Sequence, residues 1–295
     1  MILGRLSTIL WRRTETTMSK PLRTTIFNLL PGWLLRPFLS TQTTRGWLYS
    51  MVRQQDVTIP MGAGKGLLFN NGYSNPAYAL GSNEPPVQHA IEQNLKAGDI
   101  FYDIGTNVGF FTVIAARKVG RTGHVYSFEP LPENVKAIQH NIDLNGFKNT
   151  TILAKAVAER SGTGELLVAG YSGGSALSTA NMPPPDMTGT MKVDIVSIDA
   201  LIEAGTIRPP SLVKVDVEGA ELGVFKGMTE TMKRHQPKII YEIDDGRRDE
   251  YEKKAAECQT FLEANNYVVQ PLETAYTDIQ WIVGHYVATF SGSTS

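Results

Sequence analysis

Cysteine is almost absent from this chain: Cys258 stands alone among 295 residues, so no intrachain disulfide can form and nothing in the fold depends on one. Long apolar runs are missing too. The most apolar stretch near the start, residues 26–39, is interrupted by Pro31 and Arg36 and is too short to span a bilayer. The first apolar run does not read as a signal peptide either, because Arg12 and Arg13 follow it instead of preceding it and no small-residue cleavage pattern comes next. Acids are scarce at one end, where Arg5, Arg12, Arg13, Lys20, Arg23, Arg36, Arg45 and Arg53 face only Glu15. With a formal net charge of −1 overall, the remainder is therefore acidic, and such a body lacks the basic face that displaces counterions from nucleic acid. The expectation is a cytoplasmic protein with no nucleic-acid partner.

What is present suits one good-sized core: 42% of residues are hydrophobic and 19% charged. Residues 1–55 read as a basic N-terminal extension, helical or partly disordered, 56–290 as the main domain and 291–295 as a disordered tail. Two readings fit the extension. One is a lid packed on the domain. The other is a peripheral membrane contact through residues 1–45, with Trp33, Leu34, Leu35 and Phe38 entering a lipid headgroup layer beside Arg36. The packed lid is preferred. Met18 offers a second candidate start for translation.

Short strands and turns are expected over Asp56 to Phe69, then a helix opening at Glu84-Pro85-Pro86 with Val87, Ala90, Ile91 and Leu95 at helical spacing. From there strands and helices alternate. Strands are expected at Ile100–Ile104, His124–Phe128 and Thr151–Val157, and helices at Phe110–Val119 and Pro132–Asn145. Glu165–Val168 and Val193–Ile198 flank a loop rich in Gly, Ser and Pro from Ala169 to Gly189. Strands Leu212–Val217 and Lys238–Ile243 follow, with helices Ala220–Arg234 and Arg248–Asn265, and terminal strands Tyr267–Gln270 and Trp281–Phe290. The pattern predicts an α/β fold: a mostly parallel seven-stranded sheet with helices on both faces and an antiparallel edge strand.

The first strand of this run leads straight into Asp103-Ile104-Gly105-Thr106-Asn107-Val108-Gly109, the position where open α/β sheets bind ligands. Gly105 and Gly109 would let a ligand approach the main chain, and Asn107 tolerates a positive φ. A dinucleotide would need glycines in a G-x-G-x-x-G pattern, and Asn107 and Phe110 occupy the two later places. Asp103 would repel pyrophosphate but welcome the cationic amino acid end of S-adenosylmethionine (SAM). Glu129, ending the second strand before Pro130, can accept both hydroxyls of a ribose. Ala156 and Val157, after Lys155, stand where an adenine would lie. Taken alone, Asp103 is also a turn acceptor and Glu129 a helix cap; the pair at this strand spacing favours SAM.

Residues 102–112, the passage Phe128-Glu129-Pro130 and above all residues 214–222, with Gly227 beyond, resemble the FkbM-type methyltransferases, a branch of the Rossmann-like class I SAM-dependent fold. The similarity covers roughly Glu84 to Ile243. Thr106 stands where that family usually has Ala, and Lys155 where Asn or Asp is common. The resemblance implies methyl transfer to oxygen, with a small-molecule or glycan acceptor: a hydroxyl of a carbohydrate, glycan or secondary metabolite.

Such a transfer needs an acceptor oxygen held in line and relieved of its proton. Asp216, Glu218 and Glu242, at the ends of the fourth and fifth strands, are the candidate catalytic residues. A metal-free base is preferred over an Mg²⁺ site built from Asp216, Glu242 and Asp244. Tyr171, in the Gly- and Ser-rich loop, and Glu84 are the candidate substrate contacts. The residues His89, His140 and His235 read as surface or packing histidines. Two other functions compete. One is a catalytically silent scaffold of a membrane-associated glycan-assembly complex. The other is an N-methyltransferase, disfavoured because Asp216-Val217-Glu218-Gly219 stands where an Asn/Asp-Pro-Pro-aromatic motif would be.

Overall fold

The computed structural model describes residues 20–170, 174–178, 186–276 and 281–292. The described chain opens with α1 (Lys20–Leu29), α2 (Gly32–Leu35), a 3-10 turn at Arg36–Leu39 and α3 (Gln42–Val52), followed by the small antiparallel pair β1 (Val57–Thr58) and β2 (Leu68–Phe69). The Thr41 hydroxyl accepts from the Thr44 N–H and starts α3. Two short helices come next, α4 (Pro76–Leu80) and α5 (Pro85–Asn94), each with proline in its first turn.

The alternating part then runs β3 (Ile100–Ile104), α6 (Phe110–Val119), β4 (His124–Phe128), α7 (Pro132–Leu144) and β5 (Thr150–Leu153). A smaller layer intervenes, comprising β6 (Ala156–Val157), β7 (Gly162–Ala169), β8 (Ala176–Leu177) and β9 (Met187–Val196). The alternation resumes with α8 (Ile198–Glu203), β10 (Leu212–Val215), α9 (Glu221–Lys226), α10 (Thr229–His235), β11 (Lys238–Asp245), α11 (Arg248–Ala264), β12 (Tyr267–Pro271) and β13 (Ile282–Phe290).

Among the described residues the main sheet has seven strands in the order β12-β13-β11-β10-β3-β4-β5. Strands β3, β4, β5, β10 and β11 are parallel, and β13 lies antiparallel between β11 and β12. The antiparallel strand is thus one place in from the edge. The strand order reverses between β3 and β10, which opens a crevice at the carboxyl ends of those two strands.

Period-two alternation sends side chains to two cores. Ile100, Tyr102 and Ile104 enter one with α9, α10 and α11, while Phe101 enters the other with α6. Phe27, Leu35, Leu48, Met51 and Val52 are buried in that second core beside Phe110, Phe111 and Val113. The described part of the basic leader therefore packs into the core on the α6 side of the sheet.

Three expected elements differ in detail. The run Thr151–Val157 is split: a tight turn, closed by the Lys155 N–H on the Leu153 carbonyl at 2.8 Å, ends β5 and passes β6 to a second sheet of order β6-β9-β7-β8. The Gly-rich region is less open than expected, because β7 and β9 pair from Gly162↔Ile195 to Ala169↔Met187. The expected helix Ala220–Arg234 breaks into α9 and α10 at Gly227, which lies against the backbone of Ala158.

Candidate functional site

The turn after β3 is fixed by its own backbone. The N–H groups of Gly105 and Thr106 both donate to the Phe128 carbonyl, at 3.1 and 3.2 Å, and the Thr106 hydroxyl donates to the Asp103 carbonyl at 2.8 Å. Gly105, at φ 80°, is required for a reason other than ligand approach: a Cβ there would lie 1.6 Å from the Asp216 carbonyl oxygen. At Gly109 a Cβ would make only ordinary contact with Ile138, at 3.4 Å, and glycine is called for by the φ of 88°. Gly105 therefore also serves the fold, by letting the turn pass the backbone of its neighbour, and it still stands on a cavity wall.

Asp103 is 1% exposed and sits behind the turn, not on a cavity wall. One carboxylate oxygen accepts from the Thr112 hydroxyl at 2.6 Å, and Lys214 is its partner in the β10 register. The other oxygen has no hydrogen-bond partner among the described residues. Burial raises its pKa, with the Asp216 charge adding to the shift while Lys214 and Thr112 oppose it.

A cavity opens at the carboxyl ends of the strands, and Gly105, Asn107, Glu129, Pro130, Ala156 and Val157 all line it. Asp103, Thr106 and Gly109 lie beneath. The Glu129 carboxylate accepts the Asn107 N–H at 2.9 Å on one oxygen and the Leu131 N–H at 2.9 Å on the other. It therefore ties the turn after β3 to the approach to α7 while facing the cavity, and with Asn134 as a third donor it retains acceptor capacity. Burial pushes its pKa up to about 7, against the pull of those two N–H groups and of Asn134. Asn107, at φ 51°, donates its side-chain amide to the Ser74 hydroxyl at 2.9 Å, and its buried Oδ1 has no partner among the described residues.

The opposite wall is acidic. Asp216, Glu218 and Glu242 line the same cavity, as does Glu84, which enters from the start of α5. Lys214 is buried and donates to Asp216 at 2.8 Å. Burial works against its ammonium, but the charges of Asp216, Asp103 and Glu84 more than offset that and raise its pKa. Burial also drives the Glu218 carboxyl upward, helped by the charges of Asp244, Asp216 and Glu242.

Asp244 does not join Asp216 and Glu242. Its carboxylate accepts from the Trp281 indole N–H and lies beside Glu218, off the cavity wall. The expected Mg²⁺ set of Asp216, Glu242 and Asp244 is thus not assembled. Instead, Glu242 faces His285, its partner in the β11–β13 register, with 2.6 Å between Oε2 and Nε2. The Tyr276 hydroxyl donates to Glu84 at 2.9 Å. Neither His285 nor Tyr276 was expected at the site. The one available signal was the pairing of the last strand with Lys238–Ile243, whose register the sequence does not specify. Tyr171 lies outside the described residues.

With this geometry in view, comparison with known proteins is specific. The methyltransferase FkbM domain matches residues 103–269. The hexuronic acid methyltransferase AglP of Haloferax volcanii is 28% identical over 149 residues, which are 50% of this chain and 58% of AglP. The 31-O-demethyl-FK506 methyltransferase FkbM of Streptomyces tacrolimicus is 22% identical over 183 residues, covering 54% of this chain and 70% of that protein. A crystal structure of a methyltransferase FkbM from Methylobacillus flagellatus overlays with a TM-score of 0.45 at 18% identity, covering 72% of this chain and 52% of that one.

Proposed function

The chain belongs to the FkbM methyltransferase family, and from that premise we propose that it transfers a methyl group from SAM to a hydroxyl of a carbohydrate, glycan or secondary metabolite. It is a SAM-dependent methyltransferase of the Rossmann-like class I fold; the acceptor and the residue roles are the proposal. AglP and FkbM, by their names, act on a hexuronic acid and on a demethylated FK506. The observation that carries the reading is the convergence of Asp216 and Glu242 on the cavity that Glu129 and Asn107 line from the other side.

The residues present fit the donor. Glu129, on the cavity wall, keeps acceptor capacity beyond Asn107, Leu131 and Asn134 for the ribose hydroxyls, the orphaned Asn107 Oδ1 would accept from the ammonium of the methionine part, and Ala156 and Val157 offer an apolar wall to the adenine. Asp103 and Thr106 act from beneath by holding the turn. SAM, when bound, supplies an electrophilic methyl on a sulfonium. The acidic wall orients the acceptor hydroxyl and takes its proton. Glu242→Gln should lower kcat about 100-fold with the affinity for S-adenosylhomocysteine unchanged. Transfer of labelled methyl from SAM to sugar or polyketide acceptors should give base-stable ethers. A base-labile label would mean a carboxyl acceptor and would overturn the hydroxyl assignment.

A second reading concerns the leader. Leu22, Ile26 and Leu29 recur at helical spacing on α1 and are exposed, Leu29 at 77%, and Trp33, at 70%, and Leu34 are exposed on α2 after the break at Pro31. Leu35 and Phe38, expected in the same apolar face, turn instead to the core. No helix among the described residues is long and apolar enough to cross a membrane. The exposed face and the basic leader support peripheral contact with an anionic lipid surface. Flotation with phosphatidylserine vesicles should capture wild type and lose a Leu29→Glu, Trp33→Glu variant. Equal flotation of both would refute this reading.

A further inference from the structure

We propose that Glu84, Glu242 and His285 form a binding site for one divalent metal ion at the acceptor end of the cavity. One donor atom from each lies within 4.8 Å of the others, with His285 Nε2 3.5 Å from Glu84 and 2.6 Å from Glu242, so small side-chain shifts would bring all three within ~2.1 Å of one ion. The three come from distant parts of the chain: the residue before α5, the end of β11 and the middle of β13.

The preparation of these groups is what separates a site from a chance cluster. Glu84 is 5% exposed, and its Oε1 accepts two hydrogen bonds, from the Asn83 amide at 2.5 Å and from the Tyr276 hydroxyl at 2.9 Å. Its Oε2 is buried with no hydrogen-bond partner among the described residues. That oxygen faces His285 Nε2 at 3.5 Å, too far for a good hydrogen bond. A carboxylate with one oxygen fixed by outer donors and the other left open toward an imidazole is how metal-ligating carboxylates are held. The Glu84 backbone lies at φ 43°, ψ 61°, a left-handed conformation that a non-glycine residue adopts at a cost.

His285 is 4% exposed, and neither ring nitrogen makes an aligned hydrogen bond among the described residues. A charged imidazole would account for the 2.6 Å approach of Nε2 to Glu242 and for the 3.5 Å approach to Glu84, but would leave Glu84 Oε2 without a hydrogen bond among the described residues. Asp216 and Glu218 add carboxyl oxygens to the same cavity, and the Lys214 ammonium donates to Asp216. Two carboxylates and one imidazole are a mixed hard and borderline set, suited to Mn²⁺, Fe²⁺ or Zn²⁺ more than to Mg²⁺.

The role of the ion, though not its binding, rests on the methyl-transfer reading above. A hydroxyl oxygen that joins such an ion as a further ligand loses its proton far more readily. The proton passes to the Asp216 carboxylate, the O–CH₃ bond forms as the S–CH₃ bond breaks, and the bonding pair stays on sulfur. Tyr276, through Glu84, is a positioning residue.

The test is Mn²⁺ binding to the chelator-stripped full chain, measured by electron paramagnetic resonance, with S-adenosylhomocysteine affinity taken on the same samples. Wild type should bind one Mn²⁺ and show the hyperfine coupling of one imidazole nitrogen. His285→Ala should weaken binding about 100-fold and Tyr276→Phe about tenfold, with S-adenosylhomocysteine affinity unchanged. Wild type that binds S-adenosylhomocysteine but no Mn²⁺, or Mn²⁺ without nitrogen coupling, overturns the metal site and leaves the methyltransferase reading intact. Binding of Mn²⁺ without S-adenosylhomocysteine would have the opposite meaning, and the nitrogen coupling, read on wild type alone, decides the matter even if a variant fails to fold.

Discussion

Two kinds of carboxylate face each other across this cavity. Glu129 is anchored by backbone N–H groups of residues close to it in sequence or in the adjoining turn, Asn107 and Leu131. Glu221, which lies off the cavity wall, is anchored in the same way, accepting the Gly219 N–H at 3.0 Å and the Val217 N–H at 3.4 Å. Glu84 and Glu242 are met instead by side chains, the neighbouring Asn83 and, from far along the chain, Tyr276 and His285. The first kind stiffens loops and presents one fixed shape, which suits a cofactor that is always the same. The second kind keeps acceptor capacity in reserve, which suits an exchangeable ligand or a proton.

The same contrast explains what could be read in advance. The donor end is written in a nearly continuous passage, residues 102–131, where strand, turn and acid follow one another at spacings set by backbone geometry. Its strands and helices emerged from apolar periodicity almost residue by residue. The acceptor end depends on strand register. Glu242 meets His285 only because β13 pairs antiparallel with β11 at Glu242↔His285, and a shift of one residue would have turned the histidine to the other face. Nothing local to His285 specifies that choice. The break at Lys155 was hidden for a related reason: Ala156 and Val157 are as apolar as a continuing strand would be, and only their pairing with Ile195 and Val196 sends them to another sheet. The buried position of Asp103 followed from alternation with Phe101, since both lie on the α6 side of β3. Its lack of access to the cavity was legible only once Thr112 was in place.

The comparison can be broken most severely at the backbone-anchored end. Gly105→Ala forces a Cβ onto the Asp216 carbonyl and should destabilise the chain by about 4 kcal/mol or more, seen as loss of soluble protein or a large drop in Tm. A Tm close to wild type would mean that the turn is far softer than described.

A smaller effect is expected from Glu221→Gln, which keeps one acceptor oxygen for the Gly219 N–H. Burial pushes the Glu221 pKa up to about 7 from an ordinary 4.5, with the charges of Asp244 and Asp216 adding and the N–H groups of Glu221 and Gly219 opposing. A raised pKa means that the folded chain binds this proton more tightly than the unfolded one. The stabilisation is complete below the unfolded pKa and is lost as pH rises through the folded one. The variant has no such loss, so its stability relative to wild type should rise by up to about 3 kcal/mol between pH 4.5 and 8 in chemical denaturation. A difference that stays constant with pH would show that Glu221 is already charged in the fold.

The central claim is that SAM lies against the turn at Gly105 with its ribose on Glu129, and calorimetry with S-adenosylhomocysteine tests it most directly. Wild type should bind, and Glu129→Ala should bind at least about 100-fold more weakly while still melting cooperatively, because two hydrogen bonds to a carboxylate are lost together. An affinity unchanged in the folded variant would contradict the account and send the search for the ribose partner elsewhere in the cavity.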